Sequence, residues 1–366
     1  MENNGTGHQK LVLVVGAGPA GLFSANKLAE AGHKVVILNR DIKYGGLAEY
    51  GIYVTKHKMK EGLRKQFRKI IGNPNIEYLG NVTVGKSGKI SLDELKQVDF
   101  DAIVISAGAQ GTKNVGIPGE DAKGVYHAKD VVYHYNYLPP YSEMEFPVGD
   151  RVAIIGVGNV MVDIAHWLTH IKNAKEVIAV ARRGPNERAY TDKEMKAIAY
   201  NMDKDAVKSE LERIRPALES VEQNVENTYN ELTKDCNEPY YEKQSPTKFY
   251  FKFLYSPKRI ITNENNEVVG LEVENNTLQL RDGKIAAKAL GTTEILDVSN
   301  VVFAIGDRVD TNLGIPVNKW GEFVKNEKPY QHDPDAHLYE VFDDEKGDVM
   351  KGMFVIGWSR KASDGL

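Results

Sequence analysis

The sequence is short of the residues that several common chemistries need. It has a single cysteine, Cys236, which excludes a disulfide, a CxxC redox pair and a cysteine-ligated iron–sulfur cluster within this chain. No apolar run approaches the roughly 18 residues of a membrane-spanning helix, and the polar start MENNGTGHQK does not resemble a signal peptide. The net charge is only −4, with 27% charged residues, which favours neither nucleic acid nor a membrane surface as a partner. We therefore expect a cytoplasmic protein, and no pattern predicts a metal site.

Glycine, in contrast, is concentrated in a motif that predicts a binding site. Residues 11–21 read LVLVVGAGPAG, in which five apolar residues predict a strand buried on both faces. Gly16, Gly18 and Gly21 then give GxGxxG, whose glycines permit a tight turn, close approach to a pyrophosphate and close helix packing. A helix over 22–31, ended by Gly32, and a strand over 34–38 complete a βαβ unit. This context predicts a dinucleotide site at the N-terminus of the helix.

The end of the second strand departs from the usual pattern. An acidic residue commonly holds the ribose hydroxyls at this point, whereas this sequence reads Asn39-Arg40-Asp41. Asn39 can still hydrogen-bond a ribose hydroxyl, so the site is retained with an imperfect match.

A second βαβ unit begins at residues 151–156, RVAIIG. It continues with Gly158, a helix over 162–171 and a strand over 176–181. Arg182 and Arg183 follow at the end of this strand. Paired guanidiniums suit a 2′-phosphate, which a carboxylate would repel, so the second nucleotide should be NADP(H). The alternative is that the two arginines are plain surface charge. Two such units imply two nucleotides, and hence two cofactors that exchange electrons.

The other segments give weaker signals. Residues 111–146, rich in Gly, Pro and Tyr, are expected to cross between domains. The charged residues 201–245 predict helices interrupted near Pro216, as a lid, a packing element or a partner-binding hairpin. Buried strands are expected over 81–84, 101–105, 301–306 and 353–357, and short antiparallel strands over 249–262, 267–273, 277–280 and 285–289. The last buried strands indicate that the first nucleotide domain resumes after the second.

A basic helix is predicted over 56–69, KHKMKEGLRKQFRK. Its cationic residues are either a solvated face or a docking surface for an acidic protein. They are Lys58, Lys60, Arg64, Lys65, Arg68 and Lys69.

Together these motifs resemble one known family. GAGPAG, GGL followed by YGI, NVTVG, SAGA, IPGE, GVGNVMVDIA, RRGP followed by TDKEM, and GWSRKASDG look like the adrenodoxin reductase-like ferredoxin–NADP+ reductases. The small subunit of glutamate synthase is related to them, and the likeness spans nearly the whole chain. The resemblance implies an α/β fold with two Rossmann-like dinucleotide-binding domains. An NADP-binding domain (111–304) would be inserted into an FAD-binding domain (8–110 and 305–366). In this family a further C-terminal helix, missing from this sequence, completes the FAD domain.

The resemblance also implies which residues contact each cofactor. FAD would lie against Gly16, Gly18, Pro19, Ala20, Gly21, Asn39, Arg40, Gly46, Leu47, His57, Val84, Ala107, Gly108, Gly357, Trp358, Gly365 and Leu366, with His57 and Trp358 next to the flavin. NADP(H) would lie against Gly158, Asn159, Val160, Arg182, Arg183, Glu194 and Lys129.

By the same resemblance, NADPH would pass hydride to FAD. Electrons would then go to an acidic carrier such as ferredoxin or flavodoxin, or flow in reverse. The basic helix over 56–69 offers a complementary surface for this carrier, and Lys196 is a second candidate contact. One alternative is an electron-input subunit of the glutamate synthase type, although this chain lacks that family's cysteine-rich N-terminal domain. Another is a nucleotide-binding module without turnover. A stable complex in a pull-down would identify the subunit, and flavin content with NADPH oxidation would identify an enzyme.

Overall fold

The computed structural model describes residues 8–328, 330–331 and 333–361. By its contacts the chain forms two compact units. The first is Met1–Lys113 with Gly306–Leu366, and the second, Asn114–Ile305, interrupts the first along the sequence. No helix in the described residues is both long enough and apolar enough to cross a membrane.

Both units are built from strands and helices that alternate along the chain. The strands are β1 (Leu11–Val15), β2 (Lys34–Leu38), β3 (Ile76–Leu79), β4 (Ala102–Ile105), β5 (Gly111–Thr112), β6 (Val125–His127), β7 (Arg151–Ile155), β8 (Glu176–Val180), β9 (Lys248–Lys252), β10 (Tyr255–Thr262), β11 (Val268–Arg281), β12 (Lys284–Leu296), β13 (Asn300–Phe303), β14 (Asp307–Arg308), β15 (Glu340–Asp343) and β16 (Asp348–Val355). The α-helices are α1 (Pro19–Glu30), α2 (Leu47–Tyr50), α3 (His57–Ile71), α4 (Leu92–Leu95), α5 (Ala128–Tyr135), α6 (Asn159–Trp167), α7 (Asp192–Ala199), α8 (Lys204–Glu219) and α9 (Val225–Thr233).

The first unit is organised on a six-stranded sheet in the order β15-β16-β4-β1-β2-β3. All neighbours are parallel except β15, which runs antiparallel to β16. Alternate residues of β1 enter separate cores, with Val12 and Val14 in one and Leu13 and Val15 in the other. Burial on both faces explains why β1 is apolar throughout.

The second unit has a five-stranded parallel sheet in the order β6-β13-β7-β8-β9. A separate antiparallel sheet, β10-β11-β12, shares a core with it through Tyr255, Leu271 and Val273, which pack with Ile178 and Val301. The predicted α/β class with two Rossmann-like folds is confirmed.

Several predicted elements need correction. The strand predicted over 81–84 is wrong, because β3 ends at Leu79 and Asn81 adopts a left-handed backbone (φ 58°) that breaks an extended run. Residues 111–146 are more than a crossing, since they contain β6 and α5 of the second unit. The strand expected to begin at 301 is β13, which pairs with β6 and β7 in the sheet of the second unit.

The C-terminal half of the second unit also differs from expectation. The 249–262 segment divides into β9, a parallel strand of the main sheet, and β10, and the predicted short strands merge into β11 and β12. Their hairpin turns at Asp282-Gly283, where both residues have positive φ. Helix α8 continues past Pro216 and ends at Glu219, and Glu222 just after it adopts a left-handed backbone with φ 60°. Its apolar residues Val207, Leu211, Ile214 and Leu218, which recur at helical spacing, are buried.

Candidate functional site

A cavity of about 330 Å³ opens at the carboxyl ends of the parallel strands of the first unit. Ligand pockets of proteins commonly start at this size. Its walls are the β1–α1 turn, the residues after β2 and β4, residues 82–84 and the turn Gly357–Ser359. Among the predicted FAD-site residues, the cavity is lined by Gly16, Gly18, Pro19, Ala20, Asn39, Arg40, Gly46, Leu47, Val84, Ala107, Gly108, Gly357 and Trp358.

The other predicted residues of this site lie elsewhere. Gly21 is beneath the loop, where an added Cβ would collide with the Gly16 carbonyl oxygen. His57 is the exposed first residue of α3 and is not part of the cavity wall. Gly365 and Leu366 lie outside the described residues.

The glycine loop has the backbone that a pyrophosphate requires. Gly16 has φ +104°, and an added Cβ there would lie 2.6 Å from the Ser106 carbonyl oxygen. A Cβ at Gly18, in contrast, would meet nothing within 4 Å, so this position faces open space in the cavity wall. Gly18 is also the N-cap of α1 and makes no side-chain cap, so the first N–H groups of the helix are available to an anion. The loop therefore fits the diphosphate of a dinucleotide.

Two further contacts hold the loop in place, and the sequence did not reveal them. The Ser106 hydroxyl donates to the Gly16 carbonyl at 2.7 Å and also reaches that of Val15 at 3.1 Å. Gly357, with φ +58°, packs so tightly that a Cβ would lie 2.6 Å from that of Ala20. That contact places Trp358 in the cavity wall.

Asn39 is buried and its side chain is used within the protein. Its Oδ1 accepts the Ala17 N–H at 3.0 Å. Its Nδ2 lies 2.8 Å from the Asp41 carbonyl oxygen, 3.3 Å from that of Lys43 and 3.2 Å from the Tyr78 hydroxyl. The amide has only two hydrogens to donate, so these acceptors occupy it fully. The side chain thus ties the glycine loop to the turn that follows β2.

The next two residues form an ion pair at the cavity. Arg40 donates through Nε to an Asp41 carboxylate oxygen at 2.9 Å and through a terminal nitrogen to the other at 3.4 Å. Its second terminal nitrogen reaches Gln110 Oε1 at 3.2 Å. Arg40 follows β2 and Gln110 follows β4, so the guanidinium extends across the end of β1. Asp41 and Gln110 also line the cavity, and no motif in the sequence marks either residue.

A second buried ion network supports the loop at Gly45 and Gly46, whose φ angles are +118° and +52°. Glu49 on α2 has a side chain only 8% exposed and accepts two hydrogen bonds from Arg64, at 2.6 and 2.8 Å. Burial alone would raise the pKa of Glu49, but hydrogen bonds from Arg64 and Lys43 outweigh it and lower the pKa to about 2. This carboxylate is therefore ionised and connects α3 to the loop that presents Gly46 and Leu47.

This network corrects the predicted basic face of α3. Lys60 is buried, and burial lowers its pKa. Arg64 points to Glu49 rather than to solvent alone. The cations of the predicted set that remain exposed are Lys58, Lys65, Arg68 and Lys69.

The second unit repeats the glycine loop between β7 and α6. Gly156 has φ +122°, and Gly158, the N-cap of α6, has nothing within 4 Å of an added Cβ. The Asn159 side-chain oxygen accepts the Thr191 N–H at 2.8 Å, which ties this loop to the start of α7. Val160 is exposed beside it.

The remaining predicted NADP residues follow neighbouring elements of the same unit. Arg182 and Arg183 come directly after β8 and are exposed, and neither guanidinium makes an ion pair with the described residues. Lys129 lies in the first turn of α5, immediately after β6. Glu194 lies in the first turn of α7, where its N–H is capped by the Thr191 hydroxyl. Since β6, β7 and β8 are parallel, the residues that follow them lie at one edge of the sheet.

The folds and their loops define a protein with two dinucleotide-binding folds, and comparisons with known proteins agree. A family model described as pyridine nucleotide-disulphide oxidoreductase matches residues 10–238. The chain belongs to this family, although its single cysteine cannot form a disulfide within the chain.

Named relatives indicate which members of this family the chain resembles. Mitochondrial NADPH:adrenodoxin oxidoreductase of Arabidopsis thaliana is 27% identical over 97% of this chain and 78% of its own length. NADPH-ferredoxin reductase FprA of Mycobacterium leprae is 29% identical over 87% of this chain and 75% of its own. The NADPH glutamate synthase small chain of Bacillus subtilis is 36% identical, over 42% of this chain and 31% of its own. The predicted family resemblance is confirmed.

The fold comparison agrees with these relatives. The structure of Mycobacterium tuberculosis FprA in complex with NADPH matches with a TM-score of 0.75 at 24% identity, over 98% of this chain and 80% of that one. At this identity the match establishes the fold alone.

Proposed function

We propose that this chain is an FAD-dependent oxidoreductase that takes hydride from NADPH and passes electrons to a ferredoxin-type carrier, or runs in reverse. The observation that carries the proposal is the cavity of the first unit, in which Gly18 and the N-terminus of α1 face open space. The relatives that match most of this chain are named as NADPH-dependent adrenodoxin or ferredoxin reductases, which supports the same function.

In this proposal the first unit binds FAD. The N–H groups at the start of α1 hold the diphosphate, because the helix N-terminus carries partial positive charge. The turn at Gly357 orients Trp358 toward the cavity, and the buried Glu49 network keeps Gly46 and Leu47 at the wall. FAD, when bound, supplies the ability to accept hydride and to release electrons singly, which no protein side chain provides.

The second unit binds NADPH through its own glycine loop. The exposed Arg182 and Arg183 have no intramolecular anion partner among the described residues and are available to the 2′-phosphate. The domain assignment thus gives FAD to 8–110 with 305–366, and NADP to 111–304.

The electron carrier would dock through positive charge. The exposed lysines and arginines of α3 suit an acidic iron–sulfur protein or flavodoxin. Lys196 is a weaker candidate because Asp235 lies 3.5 Å from its ammonium and offsets its charge.

We also propose the cytoplasm as the compartment. The Arabidopsis relative is named as mitochondrial, so cell fractionation with compartment markers is the appropriate measurement. Recovery of the protein in an organelle fraction would contradict the proposal.

The decisive experiment is an anaerobic titration of the purified protein with NADPH and, separately, with NADH, while the visible absorbance of the flavin is followed. Bleaching by NADPH at much lower concentration than by NADH is the expected result. Reduced enzyme is then mixed with oxidised ferredoxin, whose reduction completes the reaction. A flavin-free protein that also fails to take up added FAD would contradict the proposal.

A further inference from the structure

Two residues that follow β2, Asn39 and Asp41, differ in what their side chains can offer to a ribose. In the usual arrangement one acidic residue at the end of this strand accepts hydrogen bonds from the ribose hydroxyls. Here that position is Asn39, whose oxygen accepts the Ala17 N–H and whose amide hydrogens are taken by acceptors at Asp41, Lys43 and Tyr78. Asn39 is therefore a residue that holds the turn: its amide hydrogens are committed within the protein, and its oxygen, which already accepts one hydrogen bond, is only a neutral acceptor.

Asp41 offers a charged acceptor, whereas Asn39 is a neutral amide. It lines the cavity, and its side chain is 15% exposed. A carboxylate accepts up to about four hydrogen bonds, and Arg40 occupies only two of these positions. Vicinal hydroxyls are paired donors, which a carboxylate accepts well.

The neighbours of Asp41 fix its direction. Its backbone carbonyl accepts from the Asn39 amide at 2.8 Å, and Arg40, itself bridged to Gln110, holds the carboxylate from the side. Asn39 and the bridge through Arg40 thus place the acidic group two residues downstream of its usual position.

We propose that Asp41 binds the adenosine ribose hydroxyls of FAD and that Asn39 is a positioning residue for it. The inference rests on the proposed function, since it assumes that FAD occupies this cavity. It replaces the expectation that Asn39 itself contacts the ribose.

The test uses apoprotein reconstituted with FAD or with the analogue that lacks the adenosine 2′-hydroxyl, and flavin fluorescence reports binding. Wild-type protein should bind FAD more tightly than the analogue. Asp41→Asn should weaken FAD binding about 10- to 100-fold, the range for a hydrogen bond to a charged group, and remove the preference between the two ligands. Asp99→Asn, which removes an exposed carboxylate of the same unit, should change neither.

Asn39→Ala separates the positioning role from the ligand contact. Alanine at this position can neither donate to the backbone carbonyls nor accept a ribose hydroxyl, so the apoprotein should melt at lower temperature while the preference for FAD over the analogue persists. Equal binding of both ligands by wild-type protein, or a preference that survives in Asp41→Asn, would overturn the inference. Failure of wild-type protein to bind FAD at all would instead contradict the proposed function, so the two failures are distinguishable.

Discussion

The two glycine loops share a backbone and differ in the side chains that follow the next strand. Gly16 and Gly156 both have positive φ, and Gly18 and Gly158 both face open space. After β2, however, the side chains of Asn39, Arg40 and Asp41 make hydrogen bonds within the protein, whereas after β8 Arg182 and Arg183 are exposed to solvent. The backbone thus fits a dinucleotide in both units, and under our proposal the following side chains determine which dinucleotide binds. The first set is held by hydrogen bonds within the protein, and the second is proposed to bind the 2′-phosphate of NADP(H).

The largest effect is expected where the shared backbone is broken. Gly16→Ala forces a Cβ to within 2.6 Å of the Ser106 carbonyl oxygen at a positive φ. It should destabilise the first unit by about 3 kcal/mol or more and abolish flavin retention. Thermal unfolding and flavin content measure both effects. Gly62→Ala, in the middle of α3 with open space around it, is the control and should be neutral or stabilise by about 1 kcal/mol.

The next effect concerns the paired arginines after β8, which distinguish the second unit from the first. Replacing Arg182 and Arg183 by alanine should raise KM for NADPH about 100-fold, because two charge-assisted hydrogen bonds to phosphate are lost. Steady-state kinetics should show little change with NADH. Arg281→Ala, at the exposed end of β11, removes a guanidinium of the same unit and should alter neither value. An equal loss with both nucleotides would mean that the arginines do not read the 2′-phosphate.

A smaller effect concerns the preorganisation of the first unit. Glu49→Gln should lower the free energy of unfolding at pH 7 by about 2–3 kcal/mol, since a depressed pKa means that folding favours the ionised form. The pKa falls from 4.5 to about 2 on folding, so the wild-type advantage should hold above pH 4.5 and fade as the pH drops toward 2. Urea unfolding over this pH range measures it. A difference that does not change with pH would exclude the ion network as the cause.

The smallest effect tests which of the two units provides the docking surface for the electron carrier. Reversing Lys65 and Arg68 to glutamate should slow electron transfer to an acidic carrier about 3- to 10-fold at low salt and flatten its salt dependence. Stopped-flow rates at several ionic strengths are the measurement. Lys89→Glu, another exposed lysine of the same unit, serves as the control. Unchanged rates in the double variant, with a larger effect from Lys196→Glu, would move the docking surface to the second unit.

Local sequence patterns predicted well those elements whose structure depends mainly on neighbouring residues. The ends of β2 match the prediction because Gly32 and the polar Asn39 flank a segment, KVVIL, that is apolar after its first residue. Most of the expected FAD-site residues also line the cavity, since the glycine motif and the strand ends place them by backbone geometry.

The misses have a different origin. Lys60 and Arg64 fit a basic helical face, but Lys60 is buried and Arg64 pairs with Glu49, 15 residues earlier on another helix. Helical periodicity contains no information on such a partner. Asp41 was overlooked for the same reason. Its importance depends on the hydrogen bonds that occupy Asn39, and these come from residues as distant as Tyr78.

The position of Asn39 has a consequence for how the protein acquires its cofactor. Because Asn39 ties Ala17 to the turn at Asp41 through hydrogen bonds within the protein, the chain itself contributes to holding the binding loop. Binding then requires little additional ordering of the chain, which lowers its entropic cost. We therefore expect the chain to fold before it binds its cofactor, so that one preparation of apoprotein accepts natural or chemically altered flavins supplied afterwards.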